Sequence, residues 1–391
     1  MNTSILNKDV QDFINIHLKS DISKLILKGS PFTDVSIQEL ATQIEAKQKC
    51  INKLPTWFKT EGIYYPNKLN IEQTSSEITA QYKANLITGS MLIDLTGGFG
   101  VDCYYFAKPF KQVVHCEINT ALSEIASHNF KALKALNITT VAKSGIEYLK
   151  DSDVTYDWIY IDPSRRDVNT KKVFFLNQCV PDITQHLDLL FNYSDNILIK
   201  LSPLLDITKT LTDLKYVKEI HCVAVKNEMK ELLFILEKNC IKKPKIVTIN
   251  IIYNEFQKYE YQIDKFSNIK YNFISNFIYE PNVAILKSGG FKHLSESFKL
   301  LKLHQNTHLF TLDKLIDFPG RRFKVLAIYN FDKKLIKLKF QNTKANITIR
   351  NFPLSVSDIR KKFKIRDGGL DYIFFTTNLE NKLQVIHCHK V

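Results

Sequence analysis

Apolar residues recur at helical spacing through the first sixty residues. Phe13, Ile16 and Leu18 form one stretch and Ile37, Leu40 and Ile44 a second, with the breaker Gly29-Ser30-Pro31 between them. This predicts a small helical lead-in. Thr74-Ser75-Ser76-Glu77 has capping-box spacing, which predicts a helix from about residue 75 to Ala84 or Leu86. The pattern then changes: apolar runs at 91–95, 112–116, 138–142, 158–161 and 196–201 alternate with helical segments, as parallel strands covered on both faces do. EIHCVAVK (219–226) and ELLFILEK (231–238) are separated only by residues 227–230, too short a link for a crossover helix, so an antiparallel hairpin is expected. Beyond it KIVTINIIY and YEYQI read as strands, and 280–303 as helical with an interruption at Gly289-Gly290. From Phe323 the order is strand (FKVLAIYNF), helix (DKKLIKLKF), strand (NITIR), helix (SVSDIRKKF) and two strands (YIFFTTN, LQVIHCHK), a separate α+β region.

At 391 residues and 45% hydrophobic, the chain can bury at least one large core and is expected to hold more than one domain. It contains no run of 18 apolar residues, and MNTSILNKDVQDF has neither a basic end nor an apolar signal region, so no membrane association or secretion is expected. Seven scattered cysteines without a CxxC pair fit reduced thiols in a cytoplasm. His387-Cys388-His389 has ligand chemistry, but side chains alternate in direction along a strand and no partner cluster follows, so no metal is expected. The charge is uneven. Residues 1–240 carry 27 Lys and Arg against 28 Asp and Glu, a net −1, whereas 241–391 carry 27 against 12, a net +15. A neutral catalytic half joined to a half that meets nucleic acid fits this asymmetry, and a lysine-rich composition is the plainer alternative.

MLIDLTGGFGVD (91–102) ends a strand on Asp94 and enters a turn with three glycines in four residues. The dinucleotide fingerprint needs a glycine where Cys103 stands, and no Gly-Lys-Ser/Thr follows for a P-loop. A second acid, Glu117, ends the next strand, where it is placed to accept both hydroxyls of a ribose. Asp94 is placed to receive an ammonium, directly or through water. Ribose together with an amino acid points to S-adenosyl-L-methionine (SAM). A ligand-free tight turn and a solvated strand-end glutamate are the alternatives.

Asp94-Leu95-Thr96-Gly97-Gly98-Phe99-Gly100 resembles the first motif of class I SAM-dependent methyltransferases. More narrowly, the chain resembles a bacterial family of methyltransferases with a C-terminal THUMP-like domain. The stretches that carry this are KLPTW (53–57), EQTSSEITAQYKA (72–84), DLTGGFGVD, DPSRR (162–166), KLSP (200–203), EPNVAILKSGGFKHL (280–294), FPGRRF (318–323) and NITIRNFPLS (346–355). The resemblance implies an α/β, Rossmann-like sheet of seven strands with the last antiparallel, an N-terminal helical segment and a C-terminal α+β domain. It implies that Thr96, Gly97, Gly98 and Gly100 line the methionine moiety, that Glu117 holds the ribose, and that Ser144 stands where related enzymes place an Asp near the adenine amine. The expected domains are a helical region (1–70), the methyltransferase domain (71–240), a connecting ferredoxin-like region (241–320) and the THUMP-like domain (321–391).

DPSRR follows the fourth strand and faces the same crevice as the glycine turn. It resembles the Asp-Pro-Pro-aromatic motif of base-amino methyltransferases, with Ser164 for the second proline and Arg165 for the aromatic residue. Asp162, Pro163, Arg165, Arg166 and Lys200 are therefore the candidate catalytic residues; structural pairing of the arginines and a snorkelling role for Lys200 stay open. Gln73, Ser75 and Lys83 are placed to cover the cofactor motif. Arg321, Arg322, Arg350, Arg360, Lys361 and Lys362 are the candidate nucleic-acid contacts. Two functions fit: a SAM-dependent methyltransferase acting on tRNA or rRNA, or a non-catalytic RNA-binding or ribosome-assembly factor that retains the SAM-binding fold.

Overall fold

In the computed structural model, which describes residues 1–165, 175–253, 255–263 and 268–391, the chain forms two units, Met1–Lys218 with Leu233–Lys242 and Glu219–Leu232 with Lys243–Val391. The first unit opens with α1 (Lys8–Ile16), α2 (Ile22–Lys28) and α3 (Ile37–Lys53). Val10 and Ile14, Leu25, and Ile37, Leu40 and Ile44 recur on one face of each helix and bury together with Ile5 and Val35. Ile16 lies off that face and is 77% exposed. A capping box between Ser36 and Glu39 starts α3.

Next come α4 (Pro55–Lys59), α5 (Lys68–Gln73) and α6 (Glu77–Ala84). The cap of α6 is Ser76, whose hydroxyl accepts from the Thr79 amide at 3.3 Å. The expected Thr74–Glu77 capping box is not formed, because the Glu77 carboxylate is buried and accepts from Thr56 Oγ1 and Tyr105 OH, each at 2.8 Å. An acid at the start of a helix has here been taken over by tertiary structure.

The strands that follow are β1 (Gly89–Asp94), β2 (Phe110–Cys116), β3 (Ile138–Val141), β4 (Trp158–Ile161), a two-residue pair β5 (Ser164–Arg165) and β6 (Cys179–Val180), then β7 (Asn196–Leu201), β8 (Val217–Val225) and β9 (Glu228–Glu237). These strands lie in the order β8-β9-β7-β4-β1-β2-β3 within a nine-stranded sheet. β1 pairs in parallel with both β2 and β4, and β2–β3 and β4–β7 are also parallel. Leu92, Ile93, Ile159, Ile161, Ile197, Leu198 and Ile199 are fully buried, as strands covered on both faces require. The connecting helices are α7 (Val101–Phe106), α8 (Thr120–Ala132), α9 (Gly145–Lys150), α10 (Ile183–Tyr193) and α11 (Ile207–Asp213). β9 returns from β8 through Lys226-Asn227, both at positive φ (51° and 60°), the backbone of a two-residue mirror-type hairpin turn. Seven strands with a reversed last strand is the architecture the resemblance implied. The order reverses at β1, which opens a crevice at the carboxyl ends of β1 and β4.

In the second unit, β10 (Lys245–Ile252) runs parallel to β8 and antiparallel to β11 (Glu255–Gln262). A further sheet contains β12 (Phe277–Pro281), β13 (Leu301–Lys302), β14 (Phe310–Leu312), β15 (Gly320–Asn330), β16 (Asn346–Arg350), β17 (Asp371–Thr377) and β18 (Leu383–Lys390), in the order β13-β14-β12-β15-β18-β17-β16. The stretch expected as helical from 280 instead finishes β12, then forms α12 (Val283–Ser288) and α13 (Phe291–Ser297), with Gly289 at φ +70° ending the former. α14 (Lys333–Phe340) and α15 (Val356–Phe363) bury Ile336, Phe340, Ile359 and Phe363 with Ile373, Phe375 and Val385 of the sheet. Among the described residues no helix is long and apolar enough to cross a membrane. All seven cysteines are free thiols, six of them buried.

Candidate active site

The turn after β1 is built by contacts on both of its sides. The Gly97 amide donates to the Cys116 carbonyl at 2.7 Å and the Gly100 amide to the Gly97 carbonyl at 2.9 Å. A Cβ on Gly97 would stand 2.3 Å from His115 Nε2, and one on Gly100 would stand 2.3 Å from Phe130 Cζ. Two of the three glycines are thus required by the protein's own side chains, and Gly100 does not line the cleft. Gly98 is different: like Gly100 it has a positive φ (55° against 85°), but a Cβ there would meet only the Thr96 carbonyl oxygen, 3.9 Å away. Burial holds His115 neutral, pushing its imidazole down to about 4, and its Nε2 lies 3.1 Å from the Gly98 carbonyl oxygen.

The cleft beside this turn has a volume of about 390 Å³, a size suited to a small molecule. Asp94, Thr96, Gly97, Gly98, Glu117 and Ser144 line it, together with Ile118, Leu122, Ile146, Gln73 and Ser75. Asp94 is 1% exposed, and burial pushes its carboxyl up to about 7 despite hydrogen bonds from the Thr96 amide (2.9 Å) and the Cys103 thiol (3.2 Å). Glu117 is fixed from two sides: Oε2 accepts from the Gly98 amide and Oε1 from the Asn119 amide, both at 2.8 Å. Each oxygen keeps a second lone pair for a ligand hydroxyl. Ser144 precedes α9, and its side chain does not cap that helix. One buried acid, one oriented acid and an apolar wall of Ile118, Leu122 and Ile146 form a donor and acceptor set that fits SAM.

At the carboxyl end of β4, the Asp162 amide donates to Thr96 Oγ1 at 2.7 Å, tying the reacting segment to the glycine turn. Asp162 lines the cleft and its Oδ2 is ion-paired with Lys200, which β7 supplies from beside it. Pro163 follows, half-buried. Arg165 contributes its backbone to β5, while Arg166 lies outside the described residues. A network unread in the sequence lies beneath. Asp102 Oδ2 accepts from Ser75 Oγ and Tyr160 OH, each at 2.8 Å, and Oδ1 stands 3.2 Å from Nζ of the fully buried Lys83. Burial raises the Asp102 carboxyl, but Lys83, Lys200 and these hydrogen bonds outweigh it and hold the group below its usual range. Asp102 stands in the first turn of α7 and closes the DLTGGFGVD stretch, which was its one sequence signal.

Residues 277–319 match a family model described as a ferredoxin-like domain, and residues 320–390 one described as THUMP domain-like. The chain is also similar over 99% of its length to the crystal structure of a Porphyromonas gingivalis W83 protein assigned as a methyltransferase, with 30% identity, 98% of that chain covered and a TM-score of 0.89. The chain belongs to the SAM-dependent methyltransferase family with a C-terminal THUMP-like domain. It is 28% identical over 181 residues to an uncharacterized RNA methyltransferase, MMOB5020, of Mycoplasma mobile, an alignment that takes in 41% of this chain and 48% of that one. The chain thus spans about half the length of that curated relative.

The second unit of this methyltransferase alters how its basic residues read. Glu280, buried, receives Arg321 on Oε2 and Arg350 on Oε1, the latter at 2.7 Å. Arg322 lies 3.7 Å from Asp317 and donates to the Ile316 carbonyl. Arg360 pairs with Asp367 and reaches the carbonyls of Ala345 and Ile365. Four of the six candidate nucleic-acid residues are therefore engaged in local structure. Lys361 and Lys362 are exposed on α15.

Proposed function

We propose that this protein transfers a methyl group from SAM to an RNA base, in tRNA or rRNA, and works in the cytoplasm, with the second unit binding the RNA. The observation that carries the reading is the pairing of a cofactor-shaped cleft holding Asp94 and Glu117 with an Asp162–Lys200 pair on its rim, in a chain whose other half carries the entire basic excess. We place the chemistry in residues 71–240 and RNA binding in 321–391, with 1–70 as a helical cover and 241–320 as the connection.

SAM supplies an electrophilic methyl on a sulfonium, which leaves by in-line displacement. The protein supplies the rest. Glu117 orients the ribose through its two hydroxyls, and Asp94 faces the cationic amino-acid end. Lys200 fixes the Asp162 carboxylate, which accepts a hydrogen bond from the atom to be methylated and receives its proton. The backbone link from Asp162 to Thr96 sets the distance between that acceptor and the cofactor turn. Asp102, locked by Lys83, Ser75 and Tyr160, supports the floor of the cleft. The RNA assignment is supported by the net +15 of residues 241–391, the THUMP-like match and the RNA methyltransferase of Mycoplasma mobile.

The test is incubation with methyl-labelled SAM and total RNA or ribosomal subunits from a strain lacking the gene. Label in one RNA species, lost with Asp162→Asn, supports the reading. Label confined to a protein or metabolite pool overturns the RNA part, and SAM binding without transfer to any pool favours the non-catalytic factor.

A further inference from the structure

The sequence tail His387-Cys388-His389 has a partner across the sheet. Alternation along β18 puts Cys388 in the core, fully buried, and leaves His387 and His389 together on the opposite face. β17 runs antiparallel beside them with Asp371 directly opposite His389. Asp371 Oδ1 lies 2.7 Å from His387 Nε2 and 3.2 Å from His389 Nε2, and one ligand atom from each of the three residues lies within 4.8 Å of the others. Ligands about 2.0–2.1 Å from a zinc ion sit roughly 3.0–3.4 Å from one another, so the two distances from Asp371 to the histidines already stand near coordination spacing.

We propose that Asp371, His387 and His389 form a binding site for a divalent transition metal of the zinc type, clipping β17 to β18 in the THUMP-like domain. The site is built rather than incidental in three respects. Asp371 and His389 are paired across adjacent strands and His387 lies two residues from His389 on the same face, so the sheet's backbone hydrogen bonding fixes their separation. The His387 ring is oriented by Phe340 of α14, edge-on at a centroid distance of 5.5 Å. Two imidazoles with one carboxylate suit zinc and its neighbours and disfavour calcium or magnesium, which prefer all-oxygen shells. Binding replaces the two Nε2–H···Oδ1 hydrogen bonds with coordination through the same nitrogens, the ring protons moving to Nδ1. His389 is half-exposed, so at least one coordination position faces solvent. Lys324 is the cross-strand neighbour of His389 on β15; it is exposed, so its ammonium is free to turn into water.

The experiment uses the full chain without an affinity tag, stripped with a chelator, and titrated with Zn²⁺ by calorimetry and with Co²⁺ by visible absorption. One equivalent of Zn²⁺, ligand-field bands from Co²⁺, and a rise in melting temperature with Zn²⁺ are expected. His389→Gln keeps a hydrogen-bond donor, so its metal-free melting temperature should match the wild type while Zn²⁺ affinity falls by about 10–100-fold or more. His387→Gln and Asp371→Asn should do the same. If Zn²⁺ fails to bind, or binds with equal affinity to wild type and to the His387→Gln/His389→Gln double variant, the proposal is overturned and the triad is only a hydrogen-bonded cluster. SAM binding and methyl transfer are read separately, so failure of this site leaves the cleft assignment untouched.

Discussion

Asp94→Asn separates what the cleft costs the fold from what it gives the cofactor. Burial raises the Asp94 carboxyl from 3.8 to about 7. Between those values the folded state binds the proton and the unfolded chain does not, so stability falls as pH rises through this window and levels off above it. Three pH units at about 1.4 kcal/mol each set the penalty near 4 kcal/mol at pH 8. The amide removes that penalty but weakens the bond to the Cys103 thiol and brings an NH2 group that needs an acceptor, each worth about 1 kcal/mol. The variant should therefore be more stable than wild type by about 2 kcal/mol at pH 8. Because only part of the window lies above pH 5, wild type should lose about 3 kcal/mol relative to the variant between pH 5 and 8. Urea unfolding at the two pH values measures this. SAM affinity should move the other way: in wild type it strengthens as pH rises to about 7 and then levels off, while in the variant it is at least tenfold weaker and flat with pH. A stability difference that does not change with pH, or a variant less stable at both values, would show that Asp94 is not a buried carboxyl waiting for a cation.

Lys83→Met should cost about 3–5 kcal/mol by leaving Asp102 buried and unpaired, and adding Asp102→Leu should recover most of it; denaturant unfolding of the three variants decides, and a single variant as stable as wild type sinks the pairing argument. Gly97→Ala, whose new methyl meets His115, should destabilise by about 1–3 kcal/mol, and His115→Ala in the same chain should relieve part of that loss, as melting temperatures would show. Lys200→Met should lower kcat at least about a hundredfold while leaving the SAM Kd within about threefold, and equal losses in both would move Lys200 from the reacting end to the cofactor. Replacing Lys361 and Lys362 with glutamate should weaken RNA binding and reduce its salt slope by about 2, whereas Arg350→Lys should lower stability and leave the slope alone; the reverse pattern in filter binding would return Arg350 to the RNA surface.

What could be read from the chain was whatever a residue's own strand or helix determines. Apolar runs located the parallel strands, and acids at their ends located Asp94 and Glu117, because a strand terminus at the sheet's switch point faces the crevice whatever packs behind it. The glycines were harder. Their number marked a close approach, but the groups approaching Gly97 and Gly100 are His115 and Phe130, brought in by β2 and α8. The basic residues show the same boundary from the other side: Glu280 lies 41 and 70 positions from the arginines it neutralises, so a charge count could locate the basic half but could not tell a free guanidinium from a spent one. His387 and His389 share a face by strand period alone, yet their third partner depends on which strand pairs with β18 and in what register. In each case a residue's chemistry was local and its availability was not. A cation or carboxylate becomes a site only when no distant segment has already claimed it, which is why Asp162, held by Lys200 but lining the cleft, remains the residue on which the catalytic reading turns.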